Sequence, residues 1–133
     1  MKKNIRENRI PLVRHELIVE ILEWAKNDTD TLELLKNSAQ NDDDSQIRCA
    51  AIQQLLKGWG EKSDLTPLLI DITLNDSFIR KHGAQSNPRL VAIEGLVKYY
   101  SHYSGMIDLL QDRCDNDPDK QLREWARQQL GQL

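Results

Sequence analysis

Apolar positions recur along this chain at steps of three and four, the spacing of one face of a helix. Ile47, Ala51 and Leu55 repeat every fourth residue, and Trp59 continues the stripe. Leu90, Ile93 and Leu96-Val97 draw a similar stripe further on, and Leu122, Ala126 and Leu130 draw it near the end. Between these stripes, Leu32, Leu35 and Ala39 predict a helix over 31–41, with equivalents over 65–75 and 105–116. Leu12, Val13, Leu17, Ile18, Val19, Ile21 and Leu22 predict a first helix over 11–26. No stretch alternates with a two-residue period long enough for a strand, so the pattern predicts an all-α chain.

The stripes share a register. Four phrases begin on an arginine: Arg14-His-Glu-Leu-Ile, Arg48-Cys-Ala-Ala-Ile, Arg89-Leu-Val-Ala-Ile and Arg123-Glu-Trp-Ala-Arg, at steps of 34, 41 and 34 residues. A leucine pair (Leu34-Leu35, Leu68-Leu69, Leu109-Leu110) marks a second position in each unit. Six residues after that pair ends comes Asn41-Asp42, Asn75-Asp76 or Asn116-Asp117. A period in this range marks an array of helix pairs. The predicted units are 28–60, 61–103 with an insertion at 77–86, and 104–133. They follow an N-terminal segment 1–11 and a lone helix 12–27, all in one domain.

Asn87-Pro88 and Asp117-Pro118 place a capping side chain before a proline at the first helical position. Asp44 or Ser45 can cap the helix of Arg48, and Asp30, Asp64 and Ser104 stand where the leucine-pair helices should begin. The small residue at Ala51, Ala92 and Ala126 lets paired helices approach, and Leu17 in its place predicts a different packing distance for the first helix. Asp42 precedes Arg48, and Asp117 precedes Arg123, by six residues; Asp76 precedes Arg89 in the same way once seven inserted residues are discounted. Such a carboxylate can bond its own arginine or that of a neighbouring unit. Asn8 stands in this place before Arg14, which predicts a weaker pairing there.

These phrases resemble the HEAT-repeat family, and the resemblance implies a right-handed α-solenoid of about three and a half antiparallel helix pairs. A narrower likeness rests on Thr29-Asp-Thr-Leu-Glu-Leu-Leu-Lys-Asn-Ser-Ala-Gln-Asn-Asp, Ile47-Arg-Cys-Ala-Ala-Ile-Gln-Gln-Leu-Leu-Lys-Gly-Trp and Leu109-Leu-Gln-Asp-Arg-Cys-Asp-Asn-Asp-Pro-Asp. They are similar to the C-terminal HEAT arrays of cyanobacterial-type NACHT-domain signalling ATPases, over roughly residues 12–133. That likeness implies a sensor or scaffold arm. No phosphate-binding G-x-x-x-x-G-K-[ST] loop occurs in the sequence, so the ATPase activity is not carried over.

Composition narrows the classes. The net charge is −3 with 29% charged residues of mixed sign, which argues against a nucleic-acid-binding face. No apolar run reaches the length of a membrane helix, and no signal core follows the basic N-terminus, so a cytoplasmic protein is expected. Cys49 and Cys114 form no C-x-x-C pair and read as reduced core thiols. His15, His82 and His102 lack a metal-ligand partner one helical turn away. The acidic runs Asp42-Asp43-Asp44 and 115–119 sit at helix junctions, where capping accounts for them, and match no calcium loop. No catalytic residue, metal or cofactor is expected.

The departures from the repeat are the candidate contact surfaces. The insertion carries Phe78, the only phenylalanine, followed by Ile79, Arg80, Lys81 and His82. Insertions gather on one edge of an array and often serve binding. Its other reading is a solvated loop whose Phe78 and Ile79 cover a core end. Trp24, Trp59 and Tyr99-Tyr100 recur at helix ends, with Tyr103 close by; the row serves packing or recognition. The first helix carries too much apolar surface for a terminal unit, so it is expected to pack on residues 1–9, on a second copy, or on an upstream region. The last unit offers Glu124, Arg127, Gln128 and Gln129 outward, as suits a solvated end. The function expected is a non-catalytic module binding protein or peptide through the second helices and the insertion, with Trp59, Tyr100 and Tyr103 beside the insertion residues as contacts. A HEAT-like bilin lyase acting on phycobiliproteins and a structural spacer are the alternatives.

Overall fold

A computed structural model describes residues 5, 8–25 and 28–133. Among them are seven helices and no strand. They are α1 (Pro11–Ala25), α2 (Thr29–Asn41), α3 (Ser45–Trp59), α4 (Thr66–Asn75), α5 (Pro88–Tyr99), α6 (Met106–Asn116) and α7 (Lys120–Gly131). The helix pairs α2/α3, α4/α5 and α6/α7 pack face to face, and α1, α3 and α5 pack side by side in a row. Lys26, with which the predicted first helix ends, lies outside the described residues.

Asp28, Asp44, Asn87 and Asp119 each accept the amide two residues on and so cap α2, α3, α5 and α7. Three expected caps differ in the structure. Asp28 rather than Asp30 starts α2, because a cap must lie outside the first turn. Asp119 rather than Asp117 starts α7, because Asp117 is turned towards the preceding unit. Asp64 accepts the Thr66 amide beside the start of α4, and α6 starts at Gly105 without a side-chain cap. Ser104 therefore does not cap α6.

The repeat register matches the core. Three residues after each arginine, Ala51, Ala92 and Ala126 are fully buried, while Leu17 is only half-buried. Four residues after, Ile18, Ile52 and Ile93 are fully buried, and Arg127 in the last unit is exposed. Each buried isoleucine or leucine contributes about 1.5–3 kcal/mol by leaving water. Ile5 is buried in the same core cluster as Ile18 and Ile21. Leu12, Val19 and Trp24 nonetheless stay exposed on α1, Trp24 at 73%.

The arginines reach across units. Arg14 Nε and Nη2 donate to Asp42 at 3.0 and 3.1 Å, Arg48 to Asp76 at 2.8 and 3.1 Å, and Arg89 to Asp117 at 2.9 and 3.0 Å. Each partner lies 28 residues further along the chain. Towards its own unit each arginine donates Nη1 to a backbone carbonyl: Asn8 for Arg14, Asp42 for Arg48, Asp76 for Arg89 and Asp117 for Arg123. The within-unit pairs Asp42–Arg48, Asp76–Arg89 and Asp117–Arg123 are thus carbonyl contacts, and the ion pairs run to the neighbour. Arg14 is a full member of the ladder, since its carboxylate comes from Asp42 and not from the position of Asn8. Hydrogen bonding to Asp42 raises its pKa.

Candidate interaction surface

The insertion, residues 77–86, lies in the loop between the end of α4 at Asn75 and the start of α5 at Pro88. Its first turn is fixed by Asp76, which accepts the Phe78 amide at 2.9 Å. Phe78 is buried, and its carbonyl takes a second bond from Arg89 Nη1 at 2.9 Å. Arg80 lies over the Phe78 ring, 5.4 Å from its centre, and donates Nε and Nη2 to Asp119 at 3.0 and 2.8 Å. Its Nη1 donates to the Gln85 carbonyl, closing the loop on itself. The far end is tied to α3, where Gln46 and Ser86 exchange two bonds of 3.0 Å. The insertion is therefore a strap fastened to the unit before it and the unit after it.

Ordering within the strap separates its candidate residues. Phe78 and Arg80 are engaged in structure, whereas Ile79 is 76% exposed and Lys81 and His82 are exposed beside it. Phe78 is buried and Ile79 is not. These residues line a cleft of about 400 Å³ whose other wall is Pro118, Asp119 and Lys120. Burial acts to raise the pKa of the Asp119 carboxyl, but hydrogen bonds from Arg80, Asn87 and the Gln121 amide outweigh it and hold the group below the usual range. Arg80 is raised in turn by that same bond.

The aromatic candidates divide in the same way. Trp59 is buried in the core and offers no surface to a partner. Tyr100 is half-buried: its oxygen accepts the Leu65 amide at 3.2 Å, and its proton is shared between the carbonyls of Gly60 and Ser63 at 2.8 and 2.7 Å. It pins the turn between α3 and α4, a role with no trace in the repeat pattern. Tyr103 is half-buried against the core and lines a shallow depression with His102, Thr66 and Asp64.

Depressions also lie elsewhere among the described residues. One of about 670 Å³ lies beside Asn8, Arg14, Asn41 and Asp42, whose charged pair is already closed. The other, about 380 Å³, lies between α3 and α5 over Gly95, flanked by Lys57, Glu94 and Lys98. A Cβ on Gly95 would stand 2.6 Å from a Leu56 methyl, so the glycine is what lets these helices close. Glu94 is an exposed residue, yet burial of its carboxyl in this groove raises its pKa.

Cys49 is buried and its thiol is pushed up to about 12, first by burial and then by the Asp76 charge. Cys114 is half-buried. Among the described residues no group of three or more His, Cys, Asp or Glu side chains could hold a metal ion, and no helix is long and apolar enough to cross a membrane. No known protein family, curated protein or solved structure matches the chain.

Proposed function

We propose that this chain is a non-catalytic protein-interaction module, a short right-handed solenoid of HEAT-like helix pairs that binds a protein or peptide along its insertion edge. The observation that carries the reading is the strap. Arg80–Asp119 and Gln46–Ser86 hold its backbone to both neighbouring units, and the side chains left over are an exposed isoleucine and two basic residues facing an open cleft. A loop fixed in advance binds with less loss of conformational freedom than a mobile one. An apolar contact rimmed by polar groups suits a protein surface. Following the resemblance to NACHT-associated arrays, the proposed setting is the sensor arm of a signalling or defence ATPase in the cytoplasm.

Affinity capture from source lysate tests the reading, with wild type set against an Ile79→Ser, Lys81→Glu variant. Deleting 77–86 would be a poor probe, because it removes the core residue Phe78 and the Arg80 tie as well. The point variant leaves both in place. It is expected to lose a partner that wild type recovers, and a phosphate-loop ATPase among the lost partners would support the sensor-arm setting. Equal recovery of every protein by both would remove the cleft from the contact surface.

A further inference from the structure

Resting on the insertion-edge reading above, we propose that the cleft between the strap and the start of α7 takes a short acidic segment of a partner protein, one apolar side chain lying against Ile79 and carboxylates meeting Lys81 and Lys120. The chain carries a net charge of −3. Yet this cleft is lined by the cations Arg80, Lys81, Arg89 and Lys120, against the carboxylate of Asp119. Arg80 is spent on Asp119 at 2.8 Å, and Arg89 on the buried Asp117 at 2.9 Å. Lys81 is exposed and forms no ion pair among the described residues. Lys120 meets Glu124 at 3.8 Å with side chains 78% and 54% exposed, a contact that solvent screens. Two lysine charges are thus left over at a cleft whose lining carboxylate is already bonded, and the field there favours an anion.

The apolar surface decides between kinds of anion. Ile79 is 76% exposed, and Pro118 stands exposed on the other wall. A small anion or a nucleic-acid backbone would leave both in water, and two free lysines are few for a run of phosphates. A peptide with a leucine-like side chain among acids meets both requirements, since it covers Ile79 and neutralises the lysines. The volume of about 400 Å³ suits a few side chains and not a folded domain. Both walls are held ready. Arg80 ties the strap to Asp119 at 2.8 Å, and Gln121 of α7 reaches the Gly83 carbonyl at 3.4 Å. The cost of ordering therefore falls mainly on the peptide.

The test uses the full chain, ¹⁵N-labelled, and a blocked peptide of sequence Asp-Glu-Leu-Glu-Asp. The backbone amide signals of residues 79–83 and 120 are expected to shift saturably at millimolar peptide. Lys81→Gln and Lys120→Gln should each weaken binding about two- to fivefold, the loss of an exposed ion pair. Glu124→Gln, which frees Lys120, should strengthen it about twofold, a gain that damaged folding does not imitate. Serine in place of the peptide's leucine should weaken it roughly tenfold, the loss of a partly buried side chain. Unmoved signals, or equal binding by a variant lacking both lysines, would overturn the proposal. So would equal binding of Lys-Arg-Leu-Arg-Lys, or tighter binding of a single-stranded oligonucleotide at the same residues, which would make the cleft a phosphate-backbone site. If the acidic peptide fails while Ile79→Ser, Lys81→Glu still loses a partner from lysate, the insertion edge stands and its acidic partner falls.

Discussion

The two junctions between successive helix pairs carry the same ion pair but are otherwise built differently. At the first, Arg48 meets Asp76, and α3 and α5 close on each other with Leu56 seated over Gly95. At the second, Arg89 meets Asp117, yet α5 and α7 make no comparably close approach. The strap fills that role with polar contacts: Asp119 takes Arg80 and Asn87, and Gln121 reaches Gly83 at 3.4 Å. The ion pair is also more deeply buried there, with side chains 3% and 0% exposed against 9% and 4% for Arg48 and Asp76. Asp117 accepts four donors, from Arg89 twice, Arg113 and the Asp119 amide. An array can therefore lose helix-on-helix packing at one joint and hold it through hydrogen bonds, provided every buried polar group is satisfied.

The comparison can be broken at four points. The largest effect is expected from Asp117→Ala, which strands the buried Arg89 guanidinium and should cost about 3–5 kcal/mol in denaturant melts. The same change at Asp42 leaves a more exposed arginine and should cost clearly less; equal losses would show that burial does not rank the rungs. Leu56→Ala comes next, at about 2–4 kcal/mol, since it empties the contact over Gly95. Hydrogen exchange should then show faster opening in α3 and α5 than in α6 and α7. Arg80→Ala should cost about 1.5–3 kcal/mol, as expected for hydrogen bonds to a charged group, and should loosen the second junction only. Protease nicking within 79–86 would report it.

The smallest effect is a pH dependence. Because the folded Asp119 has a depressed pKa, its contribution is present at neutral pH and is lost only as pH falls through that lowered value. Stability from this group should therefore hold steady from about pH 7 to pH 5 and drop below the usual carboxyl range near 4. In Arg80→Ala the drop should be smaller and finish at higher pH, because the folded carboxyl loses the bond that lowers it. A titration of the Asp119 carboxyl by NMR that placed it above the ordinary range would contradict the assignment.

Much of this was legible in the chain. The step between arginines fixes which positions share a column, and the columns headed by Ala51, Ile52 and Leu55 are the buried ones. The all-helical composition follows from the same stripes. The direction of the ion pairs was not, because a spacing of six within a unit and 28 between units both bring Asp and Arg to the same edge. Only the fold shows that the short spacing spends its bond on a carbonyl. The Arg80–Asp119 pair is not legible in the sequence, since an insertion has no equivalent elsewhere against which to recognise its partner. The aromatic row looked uniform along the sequence, yet Trp59 is core and Trp24 is exposed. Periodicity locates a helix end and does not say whether another helix covers it.

The account rests on arginines that tie each unit to the next, and a pair of double-mutant cycles tests this most directly. One cycle joins Arg48→Ala with Asp76→Ala, across units; the other joins Arg48→Ala with Asp42→Ala, within a unit. The cross-unit cycle should give a coupling of about 1.5–3 kcal/mol and the within-unit cycle less than about 0.5 kcal/mol, because Arg48 bonds only the backbone carbonyl of Asp42. A within-unit coupling equal to or larger than the cross-unit one would contradict it.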